Sequence, residues 1–111
     1  MAEQPSDTPI LDLLTSMTAD SIEASSLDGQ TLMLVRIAAL VAVDAPPASY
    51  LLNLGVAGEV GVGPEEIRGV LAAVAPIVGT PRVASATGSI AGALGFASEL
   101  AELEAEAEAE E

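Results

Sequence analysis

Apolar residues recur at intervals of three and four along most of the chain, which is the pattern of helices with a buried face. The first such stretch follows Thr8-Pro9, where the hydroxyl suits a helix N-cap and the proline suits the first helical position. This pattern predicts an amphipathic helix of about 15–18 residues, broken at Leu27-Asp28-Gly29. Its apolar positions are Ile10, Leu13, Leu14, Met17 and Ile22.

The second predicted helix, Gly29 to Asp44, is apolar on nearly every side, with Asp28 as its N-cap. A helix that is apolar all round is buried all round. In a chain of 111 residues this indicates packing against another subunit. Ala45-Pro46-Pro47 ends the helix.

Glycine and proline mark the next two helices. The third is predicted from about Pro47 to Val60, with Gly61 in the position of a left-handed cap. Gly63-Pro64-Glu65-Glu66 then opens a fourth helix, with proline first and two acids where the helix dipole favours them. This helix ends at Gly79-Thr80-Pro81.

A fifth helix is predicted from about Arg82 to Leu103. It contains Gly88-Ser-Ile-Ala-Gly92, a ridge of small residues that lets another helix approach closely, although a compositional bias toward Ala and Gly accounts for it as well. We expect residues 1–8 to be disordered, residues 9–103 to form one helical domain, and the Glu-Ala tail, residues 104–111, to fray into solvent because its like charges repel.

The apolar residues are numerous but small. Half of the chain is hydrophobic, yet only Tyr50 and Phe96 are aromatic. A compact domain of this size hides only about two-thirds of its unfolded surface. The apolar content therefore exceeds what one subunit can enclose, which predicts a homo-oligomer.

Charge and missing residue types exclude several functions. The net charge is −14, with three arginines and no lysine, so we expect no binding to nucleic acid or to anionic membranes. The chain has no cysteine and no histidine, which removes disulfides, iron–sulfur clusters and zinc–thiolate sites. We expect no metal site and no cofactor, and a cytoplasmic location.

Three segments in the middle of the chain follow one another in a distinctive order and spacing. They are Leu34-Val-Arg-Ile-Ala-Ala-Leu-Val-Ala, Gly61-Val-Gly-Pro-Glu-Glu-Ile67 and Val74-Ala-Pro-Ile-Val-Gly-Thr-Pro81. On these segments, the stretch from Val35 to Ala86 resembles the carboxymuconolactone decarboxylase and alkyl hydroperoxidase D-like family. The resemblance implies an all-α, five-helix subunit that assembles into trimers or hexamers by helix packing.

The chain departs from the family at the active site. Redox members carry Cys-x-x-Cys-x-x-x-His at the start of the third helix. Counting back from Gly61 puts Asn53 at the histidine, Ser49 at the second cysteine and Pro46 at the first. A peroxidatic step needs a thiolate and a resolving thiol, so we expect no thiol peroxidase activity despite the family name.

Acid–base chemistry would fall to other residues. Tyr50 lies beside the family site, and Ser49 and Asn53 are four apart on one helical face, so the candidate catalytic residues are Ser49, Asn53 and Tyr50. The remaining acids are better explained as helix-terminal or solvated residues; they are Asp44, Glu59, Glu65 and Glu66.

Arg36 is the candidate ligand-binding residue, because it stands inside a helix that we expect to be buried. One interpretation is a clamp for a small carboxylate, and the other is a structural ion pair with Asp44, Glu59 or an acid of a neighbouring subunit. The first hypothesis for the whole protein is a catalytically degenerate, oligomeric structural or interaction module. The alternative is a lyase of the lactone decarboxylase type, so enzymatic activity stays open.

Overall fold

The computed structural model describes residues 6–109, except for the side chains of 96–101, 104 and 107–109. Over that range the chain is all-α, as predicted, with five helices and no strand. The predicted disorder at residues 1–5 and at residues 110–111 lies outside the described residues. The helices are α1 (Pro9–Ala24), α2 (Gly29–Ala42), α3 (Pro47–Glu59), α4 (Pro64–Val78) and α5 (Thr80–Ala109).

The predicted helix signals are present at most ends. Asp28 caps α2 by accepting a hydrogen bond from the Thr31 backbone N–H at 2.8 Å. Gly61 follows α3 with φ +87°, the left-handed conformation that glycine tolerates. The Gly63 N–H donates to Glu66 Oε2 at 3.0 Å ahead of α4. Thr8 is the N-cap residue of α1, but its side chain makes no capping hydrogen bond.

Two helix boundaries differ from the prediction. α2 ends at Ala42, because Asp44 takes the left-handed φ of +54° and the Ala45 N–H donates back to the Leu40 carbonyl at 3.0 Å. This pattern is a Schellman ending with Asp in place of glycine. α5 runs from Thr80 to Ala109, past the predicted end at Leu103. The high helix propensity of Ala and Glu favours this extension, and fraying of the acidic tail in solution stays a prediction.

α2 is the central helix, and it packs against α3, α4 and α5. Its buried residues, Met33, Ile37 and Val41, are four apart and form one stripe. The neighbouring helices of the same chain cover only part of its circumference, since Val35 is 52% exposed. Burial of the remaining side against another subunit stays a prediction.

The small-residue ridge on α5 is open. A Cβ built on Gly88 or Gly92 would meet no atom within 4 Å outside the helix's own turn. The close helix approach expected there therefore does not come from a described part of the same chain.

α1 stands apart from the other four helices and buries none of its residues. The chain as a whole is correspondingly open. Its Cα radius of gyration is 16.6 Å, where a compact chain of this length has about 13 Å. It exposes 7823 Å², where a compact monomer of this mass exposes about 5,700 Å². Among the described residues, no helix is long and apolar enough to cross a membrane.

Candidate functional site

An open cleft of about 510 Å³ separates α1 from α2 and α3, and we call it the α1 groove. It brings together two of the predicted site residues, Arg36 from α2 and Asn53 from α3. Apolar side chains supply most of its surface. The α1 side is lined by Leu11, Leu14, Thr15, Thr18, Ala19 and Ile22, and the opposite side also contains Met33, Leu52 and Val56.

Arg36 is only half-buried, which corrects the expectation of a buried guanidinium. Its Nη2 donates to Ser21 Oγ of α1 at 3.0 Å. No ion pair with Asp44 or Glu59 is formed in the described part of the chain, because Arg36 lies on the side of α2 that faces α1. Water reaches this side through the groove, so the charge does not need a carboxylate partner.

Asn53 and Ser49 interact through the backbone of α3. Asn53 is half-buried, and its Nδ2 donates to the Ser49 carbonyl oxygen at 2.8 Å. Ser49 does not line the α1 groove, so the two side chains do not share a pocket there. The backbone N–H of Ser49 donates to the Pro46 carbonyl at 3.0 Å. Pro46 is the N-cap residue of α3 and is exposed.

Tyr50 belongs to the core. Its side chain is fully buried among residues of α2, α3 and α5, and its hydroxyl has no hydrogen-bond partner among the described side chains. Burial raises the pKa of the Tyr50 hydroxyl, and the negative charge of Asp44 raises it further. Tyr50 lines neither the α1 groove nor the cleft between α4 and α5 that is described below. It therefore cannot transfer a proton to a ligand in either cleft.

Asp44 forms a contact that the sequence analysis did not identify. Its Oδ1 accepts a hydrogen bond from Ser85 Oγ at 2.6 Å, which joins the end of α2 to α5. Asp is one of the few residues that tolerate a positive φ, and the following Ala-Pro-Pro marks a helix end. Those two signals indicate the turn, but a partner 41 residues away cannot be found from local pattern.

A second cleft, of about 670 Å³, lies between α4 and α5 with α3 as its floor, and we call it the α4 groove. Of the described residues that line it, Arg68 alone is charged. Local sequence pattern does not indicate this groove, because three separate helices form its walls and floor. Its main apolar residues are Leu54, Ile67, Leu71, Ile90, Ala91 and Leu94.

The remaining acidic candidates are dispersed. Glu65 and Glu66 are exposed in the first turn of α4, and Glu59 is exposed at the end of α3. Within the described residues, no three acidic side chains come together in a way that could hold a metal ion. Glu59, Glu65 and Glu66 therefore lie at helix ends and in solvent, as the sequence predicts.

Comparison with known families gives one match. The model of the carboxymuconolactone decarboxylase family matches residues 9–91, which include α1 to α4 and the first two-fifths of α5. The comparisons with curated proteins and with solved structures give no significant match. The match extends well beyond the three segments that carry the sequence resemblance.

Proposed function

The chain belongs to the carboxymuconolactone decarboxylase family, and from that premise we propose that it is a non-redox member that acts as an oligomeric structural or interaction module. Nothing in its composition can replace the family's thiols and imidazole, because it has no cysteine and no histidine. Its role then depends on the surfaces it offers to other subunits.

The observation that carries this proposal is the exposure of α1. Six large apolar side chains on this one helix are at least half exposed, and the helix buries none of its residues. An isolated helix of this length is only marginally stable in water, so α1 needs a partner. The six are Ile10, Leu11, Leu13, Leu14, Met17 and Ile22.

The free energy available from covering these side chains is large. Complete burial of one such side chain contributes about 1.5–3 kcal/mol, so burying the exposed half of six contributes about 5–9 kcal/mol. This is an upper bound, yet it compares with the whole stability of a small domain, about 5–15 kcal/mol. Burial of these side chains can therefore offset much of the cost of association, which is about 4–15 kcal/mol.

A pair of α1 variants tests the proposal. Met17→Glu places a charge on the apolar face, and Ser16→Glu places the same charge on the polar face of the same helix, which also carries Asp12 and Glu23. We expect Met17→Glu to raise the dissociation constant about 100-fold or more, because it buries an unpaired carboxylate. Ser16→Glu should leave it within about threefold. Equal behaviour of the two variants in sedimentation velocity would contradict assembly through α1.

The non-redox part of the proposal has its own test. Peroxide consumption in the presence of a dithiol reductant should proceed at the rate of a protein-free control, because the chain offers no thiolate to attack the peroxide. Turnover above that rate would contradict it.

The second candidate function is a lyase of the family type that acts on a small carboxylate or lactone. The observation that favours it is that Arg36 and Asn53 line the same groove. Under this hypothesis, calorimetric titration with a small dicarboxylate should give binding that Arg36→Ala removes and Arg82→Ala retains. If no heat of binding is measured with the unaltered chain, the lyase hypothesis fails.

A further inference from the structure

We propose that α1 of one copy docks into the α4 groove of a second copy. This inference rests on the proposed function and names the two surfaces that meet. Each is an apolar surface that the described part of its own chain leaves uncovered.

The docking side of α1 is distinct from the side that faces its own chain. The α1 groove takes one side of the helix, from Leu11 round to Ile22. Ile10, Leu13 and Met17 do not line that groove, and each is more than half exposed. Their spacing of i, i+3 and i+7 is that of a helix whose side chains anchor it in a groove on another protein. We call these three residues the docking stripe.

The α4 groove has the form that such a helix requires. Its walls are two helices, its floor is a third, and its lining is predominantly apolar. Leu94, on one wall, is 50% exposed. A groove between helices with an apolar floor is a common receptor for an amphipathic helix.

The charges of the two surfaces are complementary. α1 carries Asp12, Asp20 and Glu23 and no basic residue. Asp20 lies next to the docking stripe, because it is one helical turn from Met17 and two from Leu13. Among the described residues that line the groove, Arg68 alone is charged, so the pairing places an acidic helix beside a cation.

The geometry of the chain points to a second copy as the occupant. The connection between α1 and α2 has four residues, and Ser21 of α1 is held by Arg36 at 3.0 Å. These contacts keep α1 beside α2 and α3, away from the α4 groove of its own chain. The docking stripe must therefore find a groove on another chain.

The exposed surface also exceeds that of a compact monomer. The chain exposes 7823 Å², about 2,000 Å² more than a compact monomer of its mass. A stable protein–protein interface removes about 800 Å² from each partner. α1, which buries none of its residues, contributes to this excess on every copy.

Cross-linking between single-cysteine variants tests the contact, since the natural chain has no thiol. Met17→Cys and Thr87→Cys chains, one carrying a mass tag, are mixed and treated with a short bis-maleimide; Thr87 lines the α4 groove. The control replaces Thr87→Cys with Ala73→Cys, an exposed position on α4 outside the groove. We expect the Met17–Thr87 heterodimer to form at least about fivefold faster than the control heterodimer.

Charge reversal gives a second measurement that does not depend on cysteine. Arg68→Glu should weaken association about tenfold, whereas Arg82→Glu, also exposed but outside the groove, should weaken it less than about threefold. Equal effects of the two substitutions would overturn the proposed pairing.

The outcomes separate this inference from the proposed function. An oligomer in which Met17 cross-links no faster to Thr87 than to Ala73 means that the copies meet elsewhere, and the inference fails while the proposed function stands. Cross-linking within one chain of the Met17→Cys/Thr87→Cys double variant at high dilution also overturns the inference. A monomer overturns both.

Discussion

Asn53 is the residue that sequence spacing predicts at the position of the family's histidine, and its side chain is used within its own helix. The amide donates to the Ser49 carbonyl at 2.8 Å, so this donor serves local structure. An amide neither accepts nor releases a proton near neutral pH, whatever its surroundings. The loss of acid–base chemistry at this position is a property of the residue, and the sequence alone predicts it.

Tyr50 gives a stability prediction at the same scale. Tyr50→Phe removes a buried hydroxyl that has no partner in the described part of the chain, so we expect no hydrogen bond to be lost and an unfavourable desolvation to be relieved. We expect the free energy of unfolding to stay equal or to rise by up to about 1 kcal/mol, measured by urea denaturation. A decrease of about 1 kcal/mol would mean that the hydroxyl is hydrogen-bonded.

The same hydroxyl predicts a dependence on alkaline pH. The pKa of Tyr50 is raised in the folded state, so above about pH 10 the unfolded chain loses a proton that the folded chain keeps. Stability due to this group is therefore fully present below pH 10 and falls as the pH rises toward the folded pKa. Urea denaturation between pH 9 and 11 should show a steeper decline for the natural chain than for Tyr50→Phe; parallel declines would contradict the assignment.

At the scale of helices, the ends were predictable and the burial was not. Asp28, Gly61 and Pro64 act through their own backbone or through a neighbour three residues away, so local pattern finds them. The exposure of Val35 depends on which helices surround α2, and the Asp44–Ser85 contact joins distant parts of the chain. The same limit applies to the site: the sequence identifies Arg36 and Asn53, but not that one groove contains both.

The cap of α2 provides a prediction for an element. Hydrogen bonds from the Thr31 backbone N–H and hydroxyl lower the pKa of Asp28. Asp28→Ala should lower the melting temperature at pH 7. Asp28→Asn should lower it much less, because an amide oxygen also caps a helix.

The pH dependence of this pair follows from the direction of the shift. A carboxyl with a lowered folded pKa stabilises the fold above its unfolded pKa of about 3.9, and that contribution is lost as the pH falls through the folded pKa. The difference in melting temperature between the natural chain and Asp28→Ala should therefore shrink from pH 5 to pH 3. A difference that is independent of pH over this range would mean that the cap does not act through its charge.

At the scale of the whole molecule, the open shape and the composition agree. A chain that is half hydrophobic exposes an entire amphipathic helix and two apolar grooves. If copies of the chain pack against one another, the excess of hydrophobic residues and the exposed apolar surfaces are both buried. The proposed function depends on this assembly more than on any single residue.

Light scattering coupled to size-exclusion chromatography measures that assembly directly. We expect a mass of at least twice that of the 11.1 kDa chain at micromolar concentration. The same sample should give the circular dichroism spectrum of a helical protein. A well-folded species of 11.1 kDa under the same conditions would contradict it.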